Sequence, residues 1–239
     1  MRQFLDQAHL RGIWLPALLA AALLGLPFAS IAAESTGDDA AQVRVIDGDT
    51  VQIGSKTFDL RGIDAPELGQ ICLNGSVPWH CGLDAAYALV KRFVFDPPHC
   101  RPADAPEAGA DRPGQVVCTT GGLAAASVML EDGYAEATKQ AGLEYLRVQK
   151  QARKASLGIW RGKYVDPVRW RAGERLPEEA GHAPACPVKA VHLPGGAKVY
   201  YVPFDPEFPS RVIDPQKGDR CFGSDEAARN AGYLRPAAQ

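Results

Sequence analysis

The chain has 239 residues, of which 46% are hydrophobic and 23% are charged, and its formal net charge at pH 7 is −2. These values are typical of a globular protein and exclude a disordered chain, a collagen-like chain or a membrane protein with many spans. Because the overall charge is slightly negative, nucleic-acid binding would need a local basic groove.

The N-terminal segment has the pattern of a secretory signal peptide over residues 1–33. Arg2 and Arg11 precede or flank an apolar core at 13–28, and small residues follow it. The alternative is an uncleaved anchor, but a core of 16 residues is short for a bilayer span of about 20 residues. We therefore expect an exported protein, periplasmic or extracellular, with no membrane segment after cleavage. Residues 34–41 form a polar leader.

Three consecutive strands are predicted after this leader. Apolar residues on both sides of Asp47-Gly48-Asp49 indicate two strands joined by a tight turn. Residues 56–63 are predicted to form a third strand, closed by Asp64-Ala65-Pro66-Glu67, where the proline leaves the ladder. Such a succession predicts an antiparallel meander.

Helices dominate the next part of the chain. Residues 82–95 have amphipathic helical spacing, a short strand is predicted at 115–119, and two further helices are predicted at 123–130 and 143–157. This order predicts an α+β fold and not a parallel sheet.

The C-terminal region differs in composition from the rest. Residues 172–185 are predicted to be a linker, and residues 186–239 a small module with a short helix near 225–231. A module of this size cannot bury much of a core without a disulfide.

The six cysteines all follow the predicted signal peptide, and an even number in an exported chain favours disulfides. A zinc site that uses His80, His99 or His182 is the alternative, but neither C-x-x-C nor H-x-x-x-H spacing occurs. We expect neighbours to pair, because each pair brackets a loop rich in proline and glycine. The expected bonds are Cys72–Cys81, Cys100–Cys118 and Cys186–Cys221.

Most of the candidate metal-binding and catalytic residues lie in two acidic turns. Asp47 and Asp49 lie in IDGDT, and Asp64 and Glu67 lie in IDAPE. Two such turns on adjoining strands can aim oxygens at one point, as a hard cation such as calcium requires. The cation can polarise a phosphate oxygen while a carboxylate takes the proton of an attacking water. The alternative is ordinary turn chemistry, but the two motifs together favour a site.

Further motifs accompany these turns: VRVIDGDTV, LRGIDAPE, CG-x-x-AA at a helix start, DRPGQ, GYA and GIW. Together they resemble the thermonuclease (staphylococcal-nuclease-like) family over residues 42–171. The resemblance implies a five-stranded OB-fold β-barrel with three helices. Residues 186–239 resemble a short module appended to secreted members of that family.

The resemblance also implies a function and its residues. It implies a calcium-dependent phosphodiester hydrolase of DNA or RNA. The matching calcium ligands are Asp49, Asp64 and the backbone carbonyl of Ala65, and the matching general base is Glu67.

Both catalytic arginines of the family are replaced in this chain, by Asp59 and Gln115. Groups aimed at developing charge are typically worth about 10² to 10³ each in rate, and a carboxylate at 59 repels an anionic substrate. Arg61 is expected on the same strand face as Asp59 and is the candidate substitute, with a structural charge as the alternative. Arg112 matches a basic position that is not catalytic.

The positions that hold the substrate have changed as well. Pro113, Lys139 and Ala141 stand where the family has tyrosines, and stacking aromatics contribute about 1 to 3 kcal/mol per base. The tyrosines that remain are expected to pack inside the protein: Tyr134, Tyr145 and Tyr164.

The sequence therefore leaves two functions open. The first is a weak calcium-dependent nuclease, in which Arg61 or Arg112 clamps the phosphate. The second is a non-catalytic module that keeps the acidic turns for calcium or stability and binds an unidentified periplasmic or extracellular partner. The lost arginines and tyrosines favour the second.

Overall fold

A computed structural model describes residues 42–103, 114–183 and 186–236. The predicted signal peptide and leader, together with Arg112 and Pro113, lie outside the described residues. Over the described ranges the protein is a mixed α+β structure with five α-helices. None of these helices is both long enough and apolar enough to cross a membrane.

The described elements have the following bounds. In chain order the strands are β1 (Val43–Val45), β2 (Thr50–Ile53), β3 (Lys56–Leu60), β4 (Ile63–Asp64), β5 (Cys72–Asn74), β6 (Val77–Trp79), β7 (His99–Pro102), β8 (Gly114–Thr120), β9 (Leu123–Ala124), β10 (Glu136–Ala137), β11 (Val188–His192), β12 (Lys198–Tyr201) and β13 (Arg220–Phe222). The helices are α1 (Cys81–Phe95), α2 (Ala125–Glu131), α3 (Leu143–Lys154), α4 (Pro167–Arg171) and α5 (Asp225–Asn230).

The main sheet has the strand order β1-β2-β3-β8-β7, with β9 paired to β8. Its first three strands form an antiparallel meander, as predicted, and β8 joins β3 in parallel. Among the described strands no pairing joins β1 to β7, so the sheet curls as a half-barrel that does not close. The closed five-stranded barrel implied by the resemblance is therefore not seen.

The third predicted strand, 56–63, is divided in two. β3 ends at Leu60, and Gly62 adopts a φ of +87°. A Cβ atom at Gly62 would lie 2.9 Å from the ring of Tyr145, so glycine is needed for this turn. The following residues form β4, which pairs with β10 instead of the main sheet.

The helices agree with the predicted order, with three differences. α2 begins at Ala125 and not at 123, because Leu123 and Ala124 form β9. α3 ends at Lys154 and not at 157, because Ser156 turns the chain with a φ of +52°. α4 was not predicted from the sequence. It begins where Asp166 accepts hydrogen bonds from the backbone N–H groups of Val168 and Arg169, at 2.8 and 3.3 Å, with Pro167 at the first helical position.

Three disulfides join the neighbouring cysteines, as the sequence predicts. They link β5 to the start of α1, β7 to β8, and the chain before β11 to β13. The pairs are Cys72–Cys81, Cys100–Cys118 and Cys186–Cys221.

The C-terminal module shares a hydrophobic core with the preceding domain. Its antiparallel sheet has the order β12-β11-β13. Buried Val188 and Tyr200 of this sheet pack in one cluster with Ile46 beside β1, Leu68 after β4, and Ala86 of α1. This packing supplies the buried surface that the module is too small to supply alone.

The segment predicted as a linker is also held against the domain. Glu179 is buried, and its Oε1 accepts hydrogen bonds from the N–H of Ile71 at 3.2 Å and from Nε1 of Trp170 at 2.8 Å. Its Oε2 accepts from the N–H of Leu176 at 2.9 Å. Residues 176–179 are therefore held against α4 and against the chain that precedes β5.

A buried charge cluster fastens the module to the meander. Asp205 has a side chain only 1% exposed and pairs with Arg44 of β1 and with Arg235 near the C-terminus. Nε of Arg235 also donates to Oε1 of buried Gln52 at 3.0 Å. Because both arginines share one carboxylate, the cluster depends on that residue.

We expect Asp205→Ala to lower the free energy of unfolding by about 3 to 5 kcal/mol, because it leaves a buried arginine uncompensated. Denaturant unfolding of the oxidised protein measures this change. The control is Glu174→Ala, which breaks an exposed pair with Arg169 and should cost at most about 1 kcal/mol. Equal losses in the two variants would contradict a structural role for the buried cluster.

Candidate functional site

The two acidic turns meet beside the start of α1. Oδ1 of Asp47 accepts hydrogen bonds from the N–H groups of Asp49 and Thr50, at 3.1 and 2.8 Å, which fixes the IDGDT turn. Gly82 at the helix start approaches the IDAPE turn so closely that a Cβ atom there would lie 1.6 Å from the carbonyl oxygen of Glu67. Any larger residue at 82 would separate the helix from the turn.

Asp49, the first predicted calcium ligand, is bonded to the second turn. Its Oδ2 accepts from the backbone N–H of Ala65 at 2.9 Å, and its Oδ1 accepts from Thr50 Oγ1 at 3.3 Å. Its own carbonyl accepts from the N–H of Leu60 at 2.7 Å. The two turns are therefore in contact, as predicted. The contact is a hydrogen bond that the backbone N–H of Ala65 donates to Asp49.

Arg171, at the end of α4, bridges the other two predicted acids. Its Nη1 and Nη2 donate to the two oxygens of Asp64, each at 2.9 Å, and Nη1 also donates to Oε1 of Glu67 at 2.6 Å. Its Nε lies 3.4 Å from Glu226 of α5. No motif in the sequence marks this arginine, which lies 107 residues beyond Asp64.

Calcium therefore does not fit the predicted ligand set in this arrangement. Both oxygens of Asp64 face a guanidinium, and both oxygens of Asp49 accept from donors of the chain. A cation at this point would have to displace Arg171 or lie next to its positive charge. The backbone carbonyl of Ala65 alone would not hold it.

The C-terminal module contributes a further carboxylate, Asp225, which sequence reasoning missed. Ser224 caps α5 by accepting from the N–H of Ala227 at 3.1 Å, and the following Asp225 pairs with Arg229 at 2.9 Å. One oxygen of Asp225 lies within 4.8 Å of an oxygen of Asp47 and of an oxygen of Glu67. The module therefore completes the acidic site.

The two positions where the family has catalytic arginines lie side by side. Asp59 of β3 and Gln115 of β8 are partners in the parallel register. Burial, with the charges of Asp47 and Asp225, raises the pKa of Asp59 to about 7. At neutral pH this position carries a partly protonated carboxyl group in place of a cation.

The remaining acids of the site also hold their protons more tightly than exposed carboxyls do. Burial, with the charge of Asp225, raises the pKa of Asp47 to about 6. Burial, with the charge of Asp47, raises the pKa values of Asp49 and Glu67 well above their ordinary range. Although burial opposes it, the hydrogen bonds and charges of Asp64 and Glu67 raise the pKa of Arg171.

Arg61, the candidate substitute for a catalytic arginine, has an exposed side chain. Burial raises the pKa of Tyr145 on α3, and the charge of Arg61 opposes that shift. The structure thus places Arg61 close enough to α3 to act on this tyrosine. Two of the positions where the family has substrate-holding tyrosines lie in the described part of the chain: Lys139 is exposed and Ala141 is half-buried.

The three remaining tyrosines pack, as expected. Tyr134 and Tyr145 contact the core cluster of the main sheet. Tyr164 packs near the first disulfide and donates its hydroxyl hydrogen bond to Glu136.

A groove of about 790 Å³ runs between α1, α2 and residues 156–161. Aromatic and aliphatic side chains in it are exposed, with Tyr87 at 57% and Phe95 at 78%. Polar groups of both signs lie between them, and Nε of Arg92 is buried without a hydrogen-bond partner. The charged residues of the lining are Asp84, Lys91, Arg92, Asp132 and Arg161.

The fold and the site together define a disulfide-bonded α+β protein whose buried acidic centre is bridged by an arginine. No family model matches the chain. The chain is 35% identical over 128 residues to the succinoglycan biosynthesis protein ExoI of Rhizobium meliloti (strain 1021). This match covers 51% of the chain and 64% of ExoI, so the chain spans less than two thirds of that relative.

We expect Asp59→Asn to stabilise the protein at pH 8 but not at pH 4. A carboxyl whose pKa is raised in the folded state contributes full stability below its unfolded pKa, near 3.8, and loses it as the pH rises through about 7. Removing the charge should therefore raise the free energy of unfolding at pH 8 by about 2 kcal/mol.

Denaturant unfolding at the two pH values, in a chelator, measures this effect. The control is Glu178→Gln, which changes an exposed acid far along the chain. It should change the free energy of unfolding only slightly, and by the same amount, at pH 4 and pH 8. If Asp59→Asn is less stable than the parent at pH 8, the folded protein requires the negative charge of Asp59.

Proposed function

We propose that this protein is an exported, thermonuclease-like OB-fold domain that does not hydrolyse nucleic acid and acts as a binding module. The paired IDGDT and IDAPE turns, the meander and the order of helices support the fold. Three disulfides and the apolar N-terminal segment support export.

The observation that carries the proposal is the position of Arg171. Oε1 of Glu67, the predicted general base, accepts from this arginine at 2.6 Å, and the positive charge beside it opposes the uptake of a proton, although Oε2 of Glu67 accepts no hydrogen bond. Asp64, the carboxylate expected to bind calcium, is held on both oxygens by the same side chain. The arginine therefore bonds one oxygen of the predicted base and both oxygens of one predicted metal ligand.

The replaced arginines act in the same direction. Asp59 and Gln115 lie side by side where two cations would stabilise the phosphoryl oxygens. A carboxyl group at this place repels a phosphodiester whenever it is ionised. Arg171 thus impairs the base and one metal ligand, while Asp59 and Gln115 impair the electrostatic clamp.

The test is incubation of the oxidised protein with plasmid DNA, single-stranded DNA and RNA, in calcium and in a chelator. We expect no cleavage above the buffer control. Calcium-dependent cleavage that Glu67→Gln abolishes would overturn the proposal and favour a weak calcium-dependent nuclease.

A reactivation series identifies which residues prevent hydrolysis. We expect Asp59→Arg with Gln115→Arg to remain nearly inactive, because Arg171 still holds Glu67. Adding Arg171→Gln should give the fastest cleavage, with each restored arginine worth about 10² to 10³ in rate. Circular dichroism checks that each variant folds, and the triple variant with Glu67→Gln is the inactive control. Equal cleavage by the double and triple variants would show that Arg171 does not block the base.

A second candidate function, polysaccharide binding, is favoured by the groove beside α1. Tyr87 and Phe95 offer exposed rings to the apolar faces of sugars, while Asp84, Arg92 and Arg161 offer donors and acceptors to hydroxyl groups. The partial match to a protein named for succinoglycan biosynthesis agrees with this candidate.

We expect the protein to bind soluble polysaccharides, and Tyr87→Ala with Phe95→Ala to weaken that binding at least about tenfold, since each ring supplies apolar contact area. Affinity electrophoresis in gels that contain dextran, β-glucan, alginate or DNA measures the retardation. The control is Leu143→Ala, an exposed apolar residue outside the groove. Retardation by DNA alone would contradict this candidate.

A further inference from the structure

A triad of buried carboxylates lies at the junction between the IDGDT turn and the C-terminal module. Asp47, Glu67 and Asp225 are only 3%, 5% and 2% exposed. One oxygen from each lies within 4.8 Å of those of the other two. Oxygens that share a calcium ion at about 2.4 Å can be at most about 4.8 Å apart, so this spacing suits one cation.

Each carboxylate of the triad is already oriented by a donor of the chain. Oδ1 of Asp47 accepts from two N–H groups of its own turn, at 3.1 and 2.8 Å. Oδ2 of Asp225 accepts from Arg229 at 2.9 Å, and Oε1 of Glu67 accepts from Arg171 at 2.6 Å. Each of these hydrogen bonds uses one oxygen of its carboxylate and fixes the direction of the other, whereas both oxygens of Asp49 and of Asp64 accept hydrogen bonds.

Two buried polar atoms at this junction have no partner. Oε2 of Glu67 is buried and accepts no hydrogen bond, and a buried carboxylate oxygen without a donor or cation is costly. The hydroxyl of Tyr200 is also buried and unpartnered. Tyr200 packs in one cluster with Ile46 and Leu68, the residues next to Asp47 and Glu67 in the chain.

The surrounding charges also favour a cation. Six carboxylates interact in this region against the two arginines that pair with them, Arg171 and Arg229. An excess of buried negative charge is expensive unless cations or protons balance it. The six acids are Asp47, Asp49, Asp59, Asp64, Glu67 and Asp225.

We propose that Asp47, Glu67 and Asp225 bind a divalent cation of the oxygen-preferring class, such as calcium, which ties α5 of the module to the IDGDT turn. All three ligands are carboxylates, with no histidine or cysteine, so zinc and copper are disfavoured. The set excludes Asp49 and Asp64, which the thermonuclease resemblance implies, and includes a residue of the module. It is a structural site and does not depend on whether the protein binds or cleaves nucleic acid.

The test is thermal unfolding and isothermal titration calorimetry of the full oxidised protein, with calcium chloride, magnesium chloride or chelator alone. Saturating calcium should raise the Tm by at least about 4 °C, because a ligand that binds only the folded state stabilises it. Asp225→Asn keeps an acceptor for Arg229 but loses a charged ligand, and should bind calcium at least about tenfold more weakly. The matched control is Glu226→Gln on the same helix, which should keep the full shift.

Two further variants separate this site from the other acids. Asp47→Asn keeps its turn acceptor and should weaken binding as Asp225→Asn does, so it serves if the latter does not fold. Asp49→Asn should keep the calcium-dependent shift. No calcium- or magnesium-dependent heat and shift in the wild type would overturn the proposal. An unchanged shift in the folded Asp225→Asn or Asp47→Asn variant, or a shift lost only in Asp49→Asn, would overturn it as well.

Discussion

The guanidinium of Arg171 is the interaction on which the acidic centre depends. It offers donors to Asp64 and Glu67, two buried or half-buried carboxylates that would otherwise face each other without a nearby cation. A bidentate arginine is the geometry best suited to this task. The same contact uses both oxygens of Asp64 but only one oxygen of Glu67, whose Oε2 accepts no hydrogen bond.

The C-terminal module is part of that centre and not an appendage. Its helix α5 supplies Asp225 to the buried triad and Glu226 to Arg171. On the other side of the module, Asp205 joins Arg44 and Arg235, and its sheet shares a core with the domain. A region of this size needs such contacts, because by itself it could bury little apolar surface.

Much of the local structure followed from the sequence. Alternation around Asp47-Gly48-Asp49 predicts the meander, the spacing over 82–95 predicts α1, and the neighbouring cysteines are the ones that pair. The proximity of the two acidic turns could also be predicted, because they close adjoining strands. These features depend on residues close together in the chain, whose periodicity and turn chemistry act over short distances.

The sequence by itself thus determined the meander, the amphipathic helices, the disulfide pairs and the meeting of the two acidic turns. Only the tertiary structure decided which partners the acids of these turns have. Arg171 reaches Asp64 and Glu67 across 107 and 104 residues, and Asp225 comes from α5 of the C-terminal module. No periodicity or motif encodes such pairings, because they arise only when packing brings α4 and α5 against the turns. The physical reason is burial: charges removed from water must find partners in space, wherever the chain supplies them.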